Sequence, residues 1–467
     1  MELKGKNIVV VGAGRSGLAV CRYALDCGAQ VVLSDRRSGD QILATDDGTF
    51  AALRSELTLD LAGHSRELFV AADLIVISPG VPLTVAALQA AQQAGVEIIG
   101  EIELASRQLR CPVLAITGTN GKSTTTELLG AMLHHCGQQA FVGGNLGTPL
   151  ISANACHPDA TDDYAVVELS SFQLESVAQF RPRYAALLNI SLDHLDRYPD
   201  MDSYIAAKGA IFNNQTADDV AILNGDDDEV LRISQHCRAQ KVLFSSRQRL
   251  EQGMSYANGI IEWRGYGPTL RFDVTELHLC GVHNIENVMA AMIAPLLEGF
   301  DPQQLWQAAC AFTGLPHRMV LVRELGGVRW YNDSKGTNPG SVMKSVAGLE
   351  APVTLIAGGK DKGGDYRDLR DCLSSRVTQL ILIGEAADKM QQAWHDIAPI
   401  YRADSMQQAV AYAHDVTTNG GTVLLSPGCS SFDMFDSFEQ RGEIFSAAVM
   451  ALTDPPLACC SHLNDED

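Results

Sequence analysis

One tract limits this chain more than any other: Val113-Leu-Ala-Ile-Thr-Gly118-Thr119-Asn120-Gly121-Lys122-Ser123-Thr124. An apolar run stops at a turn with two glycines, and Gly-Lys-Ser-Thr then opens a helix-compatible segment. Such a turn grips polyphosphates. Its glycines let backbone N–H groups converge on phosphate oxygens, the helix N-terminus adds a positive dipole, and Lys122 supplies a mobile cation. Ser123 or Thr124 offers a hydroxyl oxygen to Mg²⁺. The spacing departs from G-x-x-x-x-G-K-S, because Ile116 stands where the first glycine would be. A glycine-rich turn with a surface lysine is the plainer alternative, and the apolar run before the loop favours nucleotide binding over it.

The rest of the chain alternates strand-like and helix-like stretches, which implies parallel sheets of the α/β class. At 467 residues the chain is expected to form about three domains of roughly 150 residues. They are a Rossmann-like block over 1–100, a central P-loop ATPase-like block over 101–314, and a C-terminal Rossmann-like block over 315–467. Gly314-Leu-Pro-His-Arg318 reads as the linker before the third block. Residues 238–280 read as strand-rich, and a helical run follows from near Asn284.

The formal net charge of −21 argues against nucleic acid as the main partner. No apolar stretch approaches the roughly 20 residues that span a bilayer, and the chain runs from Met1 into a strand without a signal-peptide pattern. A cytoplasmic monomer with no membrane partner is therefore expected. The twelve cysteines contain no C-x-x-C and read as reduced, buried thiols.

A second phosphate-type turn lies near the start. Gly12-Ala-Gly14-Arg15-Ser16-Gly17 follows the first strand, and Asp35 ends the next one. This matches the dinucleotide fingerprint, yet any nucleotide diphosphate satisfies the same demands, and Arg36 and Arg37 add cationic donors. Two phosphate loops in one chain suit an enzyme that joins two phosphorylated reactants.

Several further stretches complete a pattern: Gly144-Asn-Leu-Gly147, Val167-Glu-Leu-Ser-Ser-Phe-Gln-Leu174, Asp193-His-Leu-Asp196, Ala206-Ala-Lys208, Pro316-His-Arg318, Asn332-Asp-Ser-Lys-Gly-Thr-Asn338 and Ser426-Pro-Gly-Cys-Ser-Ser-Phe432. With these motifs, over nearly its whole length, the chain resembles the Mur ligases of peptidoglycan-precursor synthesis. The Asn-Asp-Ser-Lys and Glu-Leu-Ser-Ser-Phe-Gln-Leu stretches point to the glutamate-adding branch.

The resemblance implies ATP-driven amide formation, in which a substrate carboxylate is phosphorylated and the amine of an amino acid displaces the phosphate. The implied reactants are UDP-N-acetylmuramoyl-L-alanine, D-glutamate and ATP with Mg²⁺, two ions being expected. Gly118 to Thr124, Asn287, Arg318 and Asp333 would contact ATP, with Asn284 as a weaker candidate. Ser123, Glu168, His194 and Lys208 would hold metal, Lys208 as a carbamate formed with CO₂. Lys122, His194, Lys208 and Lys335 are the catalytic candidates. Arg15, Ser16, Asp35, Arg36, Arg37, Ser78, Gly80 and Asn145 would line the UDP-sugar site. Thr337, Lys362, Ser431, Phe432 and Phe438 would receive D-glutamate, with Lys360 as the alternative to Lys362. Two other readings stay open: another muramyl or folylpolyglutamate-type ligase, and an NAD-dependent oxidoreductase built on the first block.

Overall fold

A computed structural model describes residues 1–44, 46, 48–153, 162–193, 197–279, 281–361, 363 and 365–453. Among these residues the chain forms three sheets. It divides into two compact units, residues 1–190 with 200–313, and residues 191–199 with the chain from Gly314 onward.

The first unit holds two sheets. The first has five parallel strands in the order Thr58–Leu61, Gln30–Asp35, Asn7–Val11, Leu74–Ile77 and Ile98–Gly100. Parallel strands covered on both faces must be apolar where they are buried, and Asn7–Val11 obeys from Ile8 onward. Ile8 and Val10 enter one core with Leu18 and Cys21 of the helix Arg15–Asp26. Val9 and Val11 enter another with Phe69, Leu88 and Ala91. The strand order reverses between Asn7–Val11 and Leu74–Ile77, the position where ligand crevices open in such sheets.

The second sheet runs Leu270–Asp273, Ile260–Arg264, Gly253–Ala257, Gln240–Ser245, Val220–Asn224, Tyr184–Leu187, Val113–Thr117, Tyr164–Glu168, Ala140–Gly144. The strand-rich stretch expected over 238–280 is its mostly antiparallel edge. Val113 and Ala115 point into the core shared with the first sheet. Leu114 and Ile116 pack with Leu128 and Leu129 of Lys122–His135, and with Val288 and Met289 of Val282–Leu297. The third sheet, in the second unit, has the order Val320–Leu325, Val328–Asn332, Thr422–Leu425, Val353–Gly358, Val377–Ile383, Ile400–Arg402. Its faces bury Trp394 on one side and Trp330 with Phe445 on the other.

A short helix, Glu101–Ser106, follows the last strand of the first sheet. Its Glu103 is fully buried and accepts from the backbone N–H groups of Ala178 (2.8 Å), Gln179 (2.9 Å) and Phe180 (3.0 Å) and from Arg107 Nε (2.8 Å). Burial alone would raise this carboxyl, but those hydrogen bonds outweigh it and hold the group below its ordinary range. Removing such a hub strands both a cation and backbone donors. Glu103→Ala should therefore lower unfolding stability by about 3 kcal/mol in urea titrations; a loss below about 1 kcal/mol would contradict this assignment.

Candidate functional site

The loop after Val113–Thr117 is fastened from three directions. Thr117 Oγ1 donates to Leu169 O (2.8 Å). The amides of Thr119 and Asn120 donate to Asn189 O (2.9 Å) and Asn189 Oδ1 (2.8 Å), and Asn189 Nδ2 returns a bond to Asn120 O (3.0 Å). Gly121 caps the following helix at φ +88°, and a Cβ there would lie 2.3 Å from Asn287 Oδ1. Only glycine meets both demands. Asn287 Oδ1 also accepts from Thr125 Oγ1 (3.3 Å), and Asn287 Nδ2 donates to Asn284 Oδ1 (3.2 Å). Ser123 and Thr124 are buried in the first turn of Lys122–His135.

Two lysines meet on this loop. Lys122 Nζ folds back to Gly118 O and Thr119 O, both at 3.0 Å. Lys208 Nζ donates to the same Gly118 O at 2.8 Å and is 2% exposed. Lys208 lies on the helix Met201–Gly209. A Cβ on Gly209 would come within 2.4 Å of Ile233 Cδ1, so packing explains that glycine at the helix end. Tyr204, one turn earlier, places its ring 4.8 Å from Lys208 Nζ and its hydroxyl 3.0 Å from Thr119 Oγ1.

Glu168 ends the neighbouring strand, in register with Ile116. It is 3% exposed. Oε1 accepts from Asn145 Nδ2 (2.9 Å), whereas the buried Oε2 has no hydrogen-bond partner among the described residues. A buried carboxylate oxygen without a donor is costly unless a cation serves it, so this strand end fits a hard divalent ion. Burial, and then the charge of Glu168, push the Glu127 carboxyl up. Among the described residues no three His, Cys, Asp or Glu side chains are grouped to hold a metal. His194 lies outside the described residues.

A cleft of about 870 Å³ opens beside the first glycine turn, lined by Gly14, Arg15, Arg37 and Ile42 and, from the second sheet's side, by Gly147 and Ser152. A smaller hollow of about 230 Å³ shares Gly14 and Arg15 and adds Ser16, Ser78 and Asn145. Asn145 touches Glu168, so a continuous line of residues runs from the cleft to the phosphate loop. Asp35 is committed to the protein: Oδ2 accepts from Ala13 N (2.7 Å), and both oxygens receive Arg37. Burial would raise Asp35, but Arg37 and the Ala13 N–H prevail and hold it low. Arg36 is exposed, Ser78 Oγ donates to Gly12 O (3.1 Å), and Gly80 has φ +91°.

In the second unit, Asp333 directly follows the strand Val328–Asn332. It is buried and accepts from Ser345 Oγ (2.7 Å) and Ser426 Oγ (2.8 Å). Burial pushes its carboxyl up to about 6, against those hydroxyls and Arg318. Lys335 Nζ sits 4.0 Å from the Phe438 ring centroid. Thr337 borders a cavity of about 260 Å³ with Asp193, Asn338 and Tyr366. Ser431 is buried and Phe432 is 69% exposed. Lys362 lies outside the described residues, and Lys360 N donates to Ser430 O (3.0 Å). The buried Arg441 ties the loops at Ser334 and Cys429 together, donating to Ser334 Oγ (2.9 Å), Ser334 O (2.8 Å) and Cys429 O (3.2 Å).

Asn189, Tyr204, Glu127 and Arg441 escaped the sequence reading. Asn189 carried a usable signal, a polar residue at the end of an apolar strand beside the phosphate loop. Tyr204 and Arg441 had none, because their partners lie 85 and 107 residues away.

Three α/β sheets with a lysine-bearing phosphate loop at a strand end define a nucleotide-dependent enzyme fold. Family models match in chain order: the Mur ligase MurD-like N-terminal domain at residues 6–100, the Mur ligase middle domain at 116–295, and the Mur ligase glutamate ligase domain at 317–429. The UDP-N-acetylmuramoylalanine–D-glutamate ligase of Syntrophotalea carbinolica is 55% identical over 97% of this chain and 99% of its own. The enzyme of the same name from Geotalea daltonii is 47% identical, over 97% and 99%. Among solved structures, the MurF ligase of Thermotoga maritima in complex with ADP shares the fold at TM-score 0.61 and 15% identity, covering 96% of this chain and 95% of that one. The chain belongs to the Mur ligase family.

Asp333 yields a prediction with a definite sign. A carboxyl raised from 3.8 to about 6 binds its proton more tightly folded than unfolded. Its contribution is therefore fully present below pH 4 and is lost as pH rises to about 6. Two units correspond to about 3 kcal/mol. Relative to the wild type, Asp333→Asn should gain up to that amount between pH 4 and pH 7 in urea denaturation; a pH-independent difference would contradict it.

Proposed function

We propose that this chain adds D-glutamate to UDP-N-acetylmuramoyl-L-alanine at the expense of ATP, in peptidoglycan-precursor synthesis. One observation carries the reading: Lys122 and Lys208 share the Gly118 carbonyl beside a buried, half-served Glu168. Relatives at 47–55% identity over nearly the full chain support the choice of substrates. No described feature favours the folylpolyglutamate-type or oxidoreductase alternatives.

The difficulty of the first step is electrostatic. The substrate carboxylate must approach a phosphate, and two unit charges 4 Å apart repel by about 4 kcal/mol at an effective dielectric near 20. Lys122 unfolds from its own loop to meet the phosphates, while the amides of Gly118–Gly121 hold them and the helix Lys122–His135 adds its dipole. Asn287, Arg318 and Asp333 are the further residues assigned to contact ATP. Bound Mg²⁺ supplies Lewis-acid masking of phosphate charge. Ser123, Glu168, His194 and a carbamylated Lys208 would hold two ions. Carbamylation turns a like-charge pair on Gly118 O into an opposite-charge pair. Residues 1–100, with Asn145, bind the nucleotide sugar through Arg15, Ser16, Arg36, Arg37, Ser78 and Gly80, and Asp35 acts by holding Arg37. Residues 101–314 bind ATP. In residues 315–467, Thr337, Lys362, Ser431, Phe432 and Phe438 hold D-glutamate, and Lys335 steadies the charge that develops during transfer. The working unit is a cytoplasmic monomer, with neither nucleic acid nor membrane as a partner. Among the described residues no helix is long and apolar enough to cross a membrane.

Phosphate release from ATP tests the reading across a panel of amino acids and acceptors. Release should require UDP-N-acetylmuramoyl-L-alanine and D-glutamate together. Turnover with another amino acid and none with D-glutamate rejects the reading. Lys122→Ala should abolish turnover yet leave UDP-sugar binding within about threefold in calorimetry; equal loss of both contradicts the division of labour. Lys208→Ala should lose at least about 100-fold in rate and regain part of it with added short carboxylates. An absence of rescue at any concentration removes the carbamate from the account.

A further inference from the structure

Glu101 is a second buried acid, two residues before the saturated Glu103, and it serves a different segment. It is 2% exposed and opens the short helix that follows the first sheet. Oε1 accepts the Ile151 N–H at 2.7 Å, and the Leu150 N–H also reaches the carboxylate. Oε2 has no partner among the described residues. Among the described residues no basic group compensates it, and burial pushes the carboxyl up to about 7. A buried acid with one oxygen unserved weakens a fold relative to a neutral group of the same shape, so stability does not account for Glu101.

What it holds does account for it. The turn Leu150–Ser152 closes the far side of the large cleft, where Ile151 and Ser152 face Gly14, Arg15 and Arg37. The same loop is tied once more to the first sheet, because Arg15 Nη1 donates to Gly147 O (3.4 Å). Glu101 thus anchors a turn that lines the same cleft as the glycine turn.

We propose that Glu101 is a positioning residue for nucleotide-sugar binding: its carboxylate fixes the Leu150–Ser152 turn as the wall against which the ligand packs. The inference rests on the reading of the cleft as the UDP-sugar site. Glu101 touches no ligand itself, so its loss acts on affinity rather than on the chemical step.

Calorimetric titration of the full chain with UDP-N-acetylmuramoyl-L-alanine, without ATP, tests it. Glu101→Ala should bind about tenfold more weakly. Its KM for that substrate should rise in step, with kcat and the KM values for ATP and D-glutamate within twofold. Glu101→Gln keeps the acceptor oxygen and should stay within threefold of wild type. Wild-type affinity in Glu101→Ala, or an equal rise in all three KM values, overturns the inference alone. Failure of the wild-type chain to bind the UDP-sugar overturns the reading of the cleft and this inference with it. If Glu101→Ala does not fold, amide exchange in the unaltered protein decides. Saturating UDP-sugar should slow exchange at residues 150–152 several-fold and leave the Glu103-held amides of 178–180 unchanged. No slowing at 150–152 overturns the proposal.

Discussion

Two ammonium groups share one carbonyl oxygen at the centre of this protein. Lys122 and Lys208 both donate to Gly118 O, at 3.0 and 2.8 Å. Like charges so close repel by several kcal/mol at an effective dielectric near 20. Such a cluster persists only where the surroundings over-determine it, and they do. Lys208 is locked on a packed helix, its neighbour Tyr204 is bonded to Thr119, and Asn189 fixes the loop backbone.

Buried acids are the counterpart of that positive centre, and each has a distinct state. Glu103 is served by an arginine and three amides and is held low. Glu101 and Asp333 are buried, and that burial raises both. Glu168 has one oxygen occupied and one free of donors among the described residues. Parallel sheets create these positions, because strand ends bring polar residues to the rim of an apolar core. Saturated acids brace the fold, and partly served ones are the positions for which ligand-, ion- and wall-holding roles are proposed.

Much of this was legible in the residues. Glycines 118 and 121 both have positive φ and close neighbours, Leu188 and Asn189 at the first and Asn287 at the second, that leave little room for a side chain. The Rossmann-like start was equally plain, since Asn7–Val11 is apolar at every position but one. The charge state of an acid was not legible. In Gly100-Glu-Ile-Glu103 nothing local marks either glutamate as buried, yet both are enclosed by turns 50 and 75 residues away. Asp35 read as a ligand contact, whereas its bonds run to Arg37 and Ala13. Local pattern reports backbone demands, and long-range packing decides which polar atoms remain available.

The catalytic role proposed for this protein depends on the loop Gly118–Lys122 being built for a polyphosphate. Titration of the intact chain with a non-hydrolysable ATP analogue and magnesium, followed by calorimetry at rising salt, tests this most directly. One saturable site whose affinity falls as salt increases is the expected result. Absence of nucleotide uptake by folded protein at any salt concentration would contradict it.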